Sequence, residues 1–283
     1  MIFTSQQQAD MFFKRIFRKI ASQASASTKT KNRNNGFVFA TTGLEYTNLA
    51  RRAARTLRLA MPEAKIDLFT DQEISDPVFN QIHPVDRSGP RPKMCSLLNS
   101  RFDKTIYLDA DIVVLEDLSD VFDLLEIRPM VGALGVSRRR VEMISYMKGI
   151  PHGFPLLNGG FVGIKKCKIT KDILTDWDHS FHNSPLRKDQ PILRGVLFRH
   201  KFIPLVLGQE YNLIKLAILD RWGPHNGAVR CLHVRPLHQA PQLSPKKPIS
   251  LREFVSPKTY ERLVRARQND QSIKTASPVY DLP

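Results

Sequence analysis

The amino-acid sequence predicts an α/β protein with a mixed, mostly parallel sheet flanked by helices. From residue 36 onward, short apolar runs bounded by turn residues alternate with longer segments of helical periodicity, a pattern typical of parallel sheets. The 283 residues are 42% hydrophobic and 25% charged, so the chain can bury an ordinary globular core. Its longest apolar stretches, residues 154–164 and 202–207, are far shorter than the ~20 residues that a membrane-spanning helix needs.

The predicted elements follow one another in chain order. The first apolar run, Phe37–Thr42, indicates a buried strand, and Tyr46–Met61 indicates a helix that ends at Pro62, because proline cannot continue it. The further predicted strands are Lys65–Thr70, Lys104–Leu108, Ile112–Leu115, Met130–Val136, Phe161–Ile164 and Val229–His233. The further predicted helices are Pro92–Arg101, Leu118–Leu125, Thr170–His182, Gln190–Phe198 and Pro257–Gln268.

Two terminal segments hold most of the excess positive charge. The net charge is +16, of which residues 1–36 and 230–283 each contribute +6, whereas residues 37–229 contribute only +4. Asp10–Ile20 has the periodicity of a short amphipathic helix with a basic face. We therefore expect three regions: a basic amphipathic helix and flexible linker (1–35), the α/β domain (36–237), and a basic, Pro-rich C-terminal extension with one helix (238–283).

The charge distribution and the cysteines bear on partners and location. A short basic helix on a tether is typical of peripheral contact with an acidic membrane. The three cysteines form no Cys-x-x-Cys pair, so we expect reduced thiols in a cytoplasmic protein, with contact at the inner membrane surface. Nucleic-acid binding is an alternative that the net charge of only +4 over residues 37–229 disfavours.

Two carboxylates directly follow the predicted strand Lys104–Leu108. Asp109 and Asp111 are separated only by Ala110, and in an extended chain residues i and i+2 project to the same face. Like charges this close repel each other unless a cation lies between them, and Mg²⁺ or Mn²⁺ prefers such oxygen ligands. Because ligands of open α/β sheets bind at the carboxyl ends of strands, this pair predicts a metal site there.

The context of the two carboxylates resembles a known family. Residues 91–125 are similar to the GT-A (Rossmann-like) nucleotide-diphospho-sugar glycosyltransferases, most closely to glycosyltransferase family eight, the family of glycogenin and bacterial galactosyltransferases. The similarity consists of a helix bearing Lys93, an apolar strand, Asp109-Ala110-Asp111 and a second apolar run. Four weaker motifs continue in the family's order, so that the resemblance spans residues 37–235: Asn158-Gly159-Gly160, Asp189-Gln190, Tyr211-Asn212 and Leu232-His233.

This resemblance implies an activity and a set of site residues. The implied enzyme is a metal-dependent hexosyltransferase that uses a nucleotide-diphospho-sugar, expected to be a UDP-sugar, and retains the anomeric configuration. Its Mn²⁺ or Mg²⁺ would be held by Asp109, Asp111 and His233. The implied catalytic residues, at the reacting sugar and its phosphate, are Lys93, Asp189 and Gln190. The implied donor-binding residues are Thr41, Thr42 and Tyr46 at the base and ribose, Asp109, and Asn158, Gly159 and Gly160 at the sugar or acceptor.

The sequence departs from the family after His233. Where the family often has Gly-x-x-Lys-Pro-Trp, which closes over the diphosphate, this chain has Val-Arg-Pro-Leu-His, and the resulting His238 competes with His233 as the metal ligand. Asp189 has a second interpretation as a helix N-cap.

Other functions stay open. The alternatives are a nucleotidyltransferase and a catalytically inactive sugar-nucleotide-binding domain. Nucleotidyltransferases have a Gly-rich start after the first strand, whereas residues 40–46 contain only Gly43. The expected acceptor is a glycan, a lipid-linked molecule or a protein.

Overall fold

The structure, a computed structural model, describes residues 34–85, 92–135, 146–186, 188–223, 225–238 and 243–282. Asn35–Pro283 forms one compact unit. The helix predicted at Asp10–Ile20 and residues 21–33 of the predicted linker lie outside the described residues, so membrane contact through this region stays a prediction. Among the described residues, no helix combines the length and the apolar character needed to cross a bilayer.

A seven-stranded sheet with strand order β3-β2-β1-β4-β7-β6-β8 forms the centre of this unit. Most neighbouring strands run parallel, whereas β7 runs antiparallel to both β4 and β6. A second sheet pairs β5 with β9. The strands are β1 (Asn35–Thr41), β2 (Ile66–Thr70), β3 (Gln81–Pro84), β4 (Lys104–Leu108), β5 (Ile112–Val114), β6 (Met130–Leu134), β7 (Leu157–Lys165), β8 (Leu205–Leu207) and β9 (Cys231–His233).

Helices cover both faces of the large sheet, which confirms the predicted fold class. Alternate side chains of β1 enter two separate cores: Phe37 and Phe39 pack with residues of α1 and α3, and Val38 packs with residues of α2, α4 and α5. The helices are α1 (Leu44–Ala60), α2 (Lys93–Asn99), α3 (Ser119–Ile127), α4 (Lys168–His182), α5 (Asp189–Arg199) and α6 (Pro257–Asn269).

The topology creates a crevice beside β1. From β1 the chain continues through β2 to β3 on one side, and it then returns to form β4 on the other side, parallel to β1. Where the strand order reverses in this way, the loops at the carboxyl ends of the two strands diverge and leave a ligand-binding crevice. The residues that follow β1 and β4 therefore face one another across this crevice.

Three strands differ from the prediction. The sheet also contains β3 and β8, which we did not predict, because these two edge strands bury few of their side chains and so lack the apolar run of a buried strand. The third, β7, begins at Leu157 rather than at Phe161, because Asn158–Gly160 is part of the buried strand instead of a turn before it. Glycine is needed at positions 159 and 160 because neighbouring side chains occupy the space that a Cβ atom would take.

The C-terminal residues pack onto the α/β core. The buried Arg52 of α1 donates hydrogen bonds to the carbonyl oxygens of Lys247 and Pro248 and lies 2.6 Å from a Glu253 carboxylate oxygen. Arg267 of α6 lies 2.6 Å from the buried Glu116, which follows β5. These contacts tie α6 and the residues before it to α1 and β5. The domain boundary at 237/238 stays a prediction.

Candidate active site

A cavity of about 670 Å³ opens at the carboxyl ends of β1 and β4. It brings together most of the residues that the sequence singled out: Thr41, Thr42, Tyr46, Lys93, Asp109, Asp111, Asp189, Gln190 and His233. Three other predicted residues lie behind this wall rather than in it: Asn158, Gly159 and Gly160.

Asp109–Asp111 forms a turn rather than the extended chain that we predicted. Strand β4 ends at Leu108, and the Ile112 amide donates to the Asp109 carbonyl oxygen over 3.1 Å. Ile112 then begins β5, which leaves the large sheet and pairs with β9. Because the chain changes sheets within this turn, the two carboxylates do not project from one strand face. Both carboxylates line the same cavity, but each of them has different neighbouring side chains.

Asp109 belongs to a cluster around the buried Lys93. The Lys93 Nζ lies 3.2 Å from the Asp109 Oδ1 and 2.8 Å from the Asp189 Oδ2. The Tyr107 hydroxyl donates to the Asp109 Oδ1 over 2.8 Å. Lys93 is only 4% exposed, and so its charge is kept out of water between two carboxylates.

Asp189 is the first residue of α5, but it does not cap this helix. The N-cap residue is Lys188, which makes no side-chain capping hydrogen bond, and the Asp189 carboxylate turns instead toward Lys93. The Trp177 Nε1 donates to the Asp189 carbonyl oxygen over 3.0 Å and fixes the start of the helix. The N-cap interpretation of Asp189 was therefore wrong.

Asp111 is buried between two imidazoles. Its Oδ2 lies 3.2 Å from the His233 Nε2 and 2.9 Å from the His238 Nε2. Burial by itself would raise the pKa of Asp111, but the hydrogen bonds and charges of the two histidines hold it far below its ordinary value. Burial lowers the pKa of His233, and its contact with Asp111 outweighs this effect and raises it.

Asp109, Asp111 and His233 fit a divalent metal ion. One donor atom from each of the three residues lies within 4.8 Å of the others. Two carboxylates and one imidazole form a donor set that suits Mn²⁺ and related ions, and a cation would relieve the repulsion between the carboxylates. His238 reaches the same oxygen of Asp111 and remains outside this set of three.

The two glycines at the start of β7 support these side chains from behind. A Cβ atom on Gly159 would lie 2.8 Å from the Asp189 Oδ2 and 2.9 Å from the Lys93 Nζ. A Cβ atom on Gly160 would lie 2.5 Å from the His233 Cε1. Both positions therefore exclude a side chain, and the reason is the packing of the site rather than the backbone conformation.

Replacing Gly160 by alanine is expected to displace His233 and to weaken metal binding at least tenfold, because the new methyl group overlaps the ring. Titration of the purified variant with Mn²⁺ measures this effect. Gly153→Ala is the matched control, since a Cβ atom at Gly153 meets nothing within 4 Å. Equal Mn²⁺ affinity of the two variants would show that His233 does not bind the metal.

Three basic residues of the cavity wall had no predicted role or a different one: Lys188, Arg235 and His238. In the sequence, His238 stood out only as a competitor of His233 for the metal, and no motif marks Lys188 or Arg235. Together with Lys93, the two unmarked residues bring three cationic side chains to the cavity. They balance the three carboxylates of the wall, Asp109, Asp111 and Asp189.

Comparison with known proteins identifies the fold. No protein-family model and no curated protein matches the chain. The galactosyltransferase LgtC in complex with donor and acceptor sugar analogues superposes with a TM-score of 0.52 at 18% identity, over 71% of this chain and 87% of that one. An active-site mutant of LgtC gives 0.53 at 16% identity, over 82% and 95% of the two chains.

A third structure agrees with these two. The apo form of the glycosyltransferase GlyE from Streptococcus pneumoniae TIGR4 superposes with a TM-score of 0.51 at 17% identity, over 88% of this chain and 62% of that one. The protein therefore has the GT-A fold. At these identities the similarity establishes the fold alone, so membership in family eight stays a prediction.

Proposed function

We propose that the protein is a metal-dependent glycosyltransferase that moves a hexose from a UDP-sugar to a glycan, lipid-linked or protein acceptor, with retention of configuration. The observation that carries this proposal is a single cavity at the carboxyl ends of β1 and β4. It joins the Asp109, Asp111 and His233 donor set to the Lys93–Asp189 ion pair. LgtC, which has the same fold, is a galactosyltransferase crystallised with donor and acceptor sugar analogues.

The charge of the cavity supports a nucleotide-diphospho-sugar as the ligand. The three carboxylates and three cationic side chains of the wall balance formally when the histidines are neutral. Adding a divalent ion leaves a formal charge of +2, and the diphosphate of such a donor carries two negative charges. The metal-loaded cavity therefore matches the donor in charge.

The carboxyl end of β1 supports the expected position of the base and ribose. Gly43 has a φ of 81°, a conformation that favours glycine, and this sharp turn places Tyr46 in the first turn of α1 at the cavity wall. The Tyr46 side chain is 47% exposed, and its ring centroid lies 5.0 Å from that of His238. An aromatic face at this place suits a nucleobase.

The chain's own residues have distinct roles in the proposed reaction. A divalent ion held by Asp109, Asp111 and His233 would supply charge stabilisation to the diphosphate leaving group. Lys93 adds a fixed positive charge on the same side, and its burial makes that charge more effective than it would be in water. Asp189 orients Lys93, and the amide of Gln190 can hydrogen-bond to hydroxyls of the sugar.

The same region disfavours a nucleotidyltransferase. Gly43 is the only glycine between β1 and α1, and its amide donates to the Asp71 Oδ1 over 2.8 Å instead of facing an open loop. A Gly-rich loop that cradles phosphates needs several free backbone amides, which this short connection does not offer.

Release of nucleoside diphosphate tests the proposal. UDP-, GDP- and dTDP-hexoses would be incubated with the protein in Mn²⁺, in Mg²⁺ and in EDTA, and donor binding would be read by thermal shift in parallel. We expect slow hydrolysis of a UDP-sugar that requires the metal. Metal-dependent binding without hydrolysis or transfer to any acceptor would indicate an inactive sugar-nucleotide-binding domain. Failure to bind any donor would reject the proposal.

A further inference from the structure

Three buried polar side chains form a chain of hydrogen bonds behind the metal-binding candidates. The His233 Nδ1 lies 3.2 Å from the Asn212 Oδ1, and the Asn212 Nδ2 donates to the Asn158 Oδ1 over 2.9 Å. The Gly160 backbone amide donates to the same Asn158 oxygen over 2.8 Å. Asn158, Asn212 and His233 are 2%, 3% and 5% exposed, so water does not compete for these bonds.

The backbone fixes the direction of every bond in this chain. The Gly160 amide can only donate, and therefore the Asn158 atom that faces it is the carbonyl oxygen. That oxygen can only accept, so the Asn212 atom that faces it is the amide nitrogen. The other end of the Asn212 amide, which faces the His233 Nδ1, is consequently an oxygen. The His233 Nδ1 must carry a proton to bond to it.

We propose that Asn158 and Asn212 are positioning residues that hold His233 in the tautomer protonated at Nδ1, with the lone pair of Nε2 directed at the metal. This inference rests on the metal site of the proposed function. A neutral imidazole binds a metal through the nitrogen that lacks a proton, and the hydrogen bond at the other nitrogen decides which one that is. The Nε2 of His233 is the atom that faces Asp111.

The same stretch of β7 positions both sides of the site. The Gly160 carbonyl oxygen accepts from the Asp109 amide over 2.9 Å, while its own amide holds Asn158. On the other side, the His233 amide donates to the carbonyl oxygen of Leu213, the residue that follows Asn212. The backbone of Gly160, which holds Asp109 in place, therefore also orients His233 through Asn158 and Asn212. The resemblance placed Asn158 at the sugar or acceptor, whereas in this proposal it acts on His233 through Asn212.

Asn212→Ala tests the positioning role without any sugar donor. The metal-free protein would be titrated with Mn²⁺, and the free ion would be counted by electron paramagnetic resonance. We expect the affinity of the variant to fall by about 10–100-fold, the usual effect of losing such a partner. Asn183→Ala is the matched control, since Asn183 contacts the ring of the exposed His179 at 3.3 Å on the surface, and it should bind Mn²⁺ like the parent protein.

A second measurement uses the unmodified protein, so it does not depend on the variant folding. Long-range ¹H–¹⁵N spectra with Zn²⁺, which is diamagnetic, report which nitrogen of His233 carries the proton. We expect a protonated Nδ1 and a metal-bound Nε2. The opposite tautomer, or unchanged Mn²⁺ affinity in a folded Asn212→Ala, would overturn the positioning role and leave the proposed function standing. Absence of Mn²⁺ binding to the parent protein would overturn both.

Discussion

Asp111→Asn is expected to lower the rate of sugar transfer about a thousandfold at saturating donor and Mn²⁺. The substitution keeps the shape of the side chain but removes a charged oxygen ligand at the centre of the metal-binding candidates, where it is only 3% exposed. Loss of several kcal/mol of stabilisation of the leaving group corresponds to about three powers of ten in rate. Single-turnover kinetics with the donor identified by nucleotide release would measure this effect.

The control for this variant is Asp103→Asn, an exposed aspartate just before the same strand β4. It should transfer sugar at the parental rate. If the turnover of Asp111→Asn were within tenfold of that of the parent protein, Asp111 would not be a metal ligand.

The same substitution should also change stability in a pH-dependent way when no metal is present. The lowered pKa of Asp111 gives stability that is present above about pH 3.9, the ordinary aspartate value. The raised pKa of His233 gives stability that is complete below about pH 6.5 and is lost as the pH rises through the raised value. The decrease in Tm caused by Asp111→Asn should therefore be larger at pH 6 than at pH 9.

Lys93→Met should have the second largest effect, and it should damage both stability and turnover. The change leaves the carboxylates of Asp109 and Asp189 facing each other without the ammonium group that lies 3.2 and 2.8 Å from them. Removing one partner of a buried ion pair costs about 3–5 kcal/mol, which lowers the Tm of a domain of this size by at least about 6 °C. Turnover should fall by at least a thousandfold, because a charge beside the diphosphate is lost as well.

Two further variants separate these effects. Lys104→Met removes another buried lysine, which lies 2.6 Å from Glu126 at the opposite end of β4 and outside the cavity wall. It should lower the Tm and leave turnover unchanged. Adding Asp189→Asn to Lys93→Met should restore part of the lost stability without restoring activity. If Lys104→Met and Lys93→Met reduced turnover equally, Lys93 would have only a structural role.

Most strands and helices were predictable because their apolar residues recur with a clear period. Strand β4 begins and ends where the apolar run Lys104–Leu108 predicted, and α1 ends within one residue of its predicted end. Strands β3 and β8 were not predicted because they lie at the edges of the sheet and bury few side chains, whereas the equally short β5 and β9 are fully buried.

The residues that form the site were more predictable than the contacts between them. Lys93, Asp111 and His233 line one cavity, as expected from the order of the motifs that resemble the family. The turn at Asp109–Asp111 was not foreseeable, since a change of sheets after a strand depends on the distant partner β9. The position of Asn158 behind His233 was hidden because Asn212, which lies 54 residues from Asn158 in the sequence, connects the two side chains.

Calorimetric titration of the protein with UDP, once in Mn²⁺ and once in EDTA, tests most directly whether this cavity binds a metal and a nucleoside diphosphate together. Without a metal, the three carboxylates of the cavity offset its three cationic side chains, so the cavity has no net positive charge that attracts a diphosphate until a divalent ion is present. We therefore predict binding at least tenfold tighter in Mn²⁺ than in EDTA, and loss of this difference in Asp111→Asn. Equal affinity with and without Mn²⁺, or no binding of UDP under either condition, would contradict the proposed site.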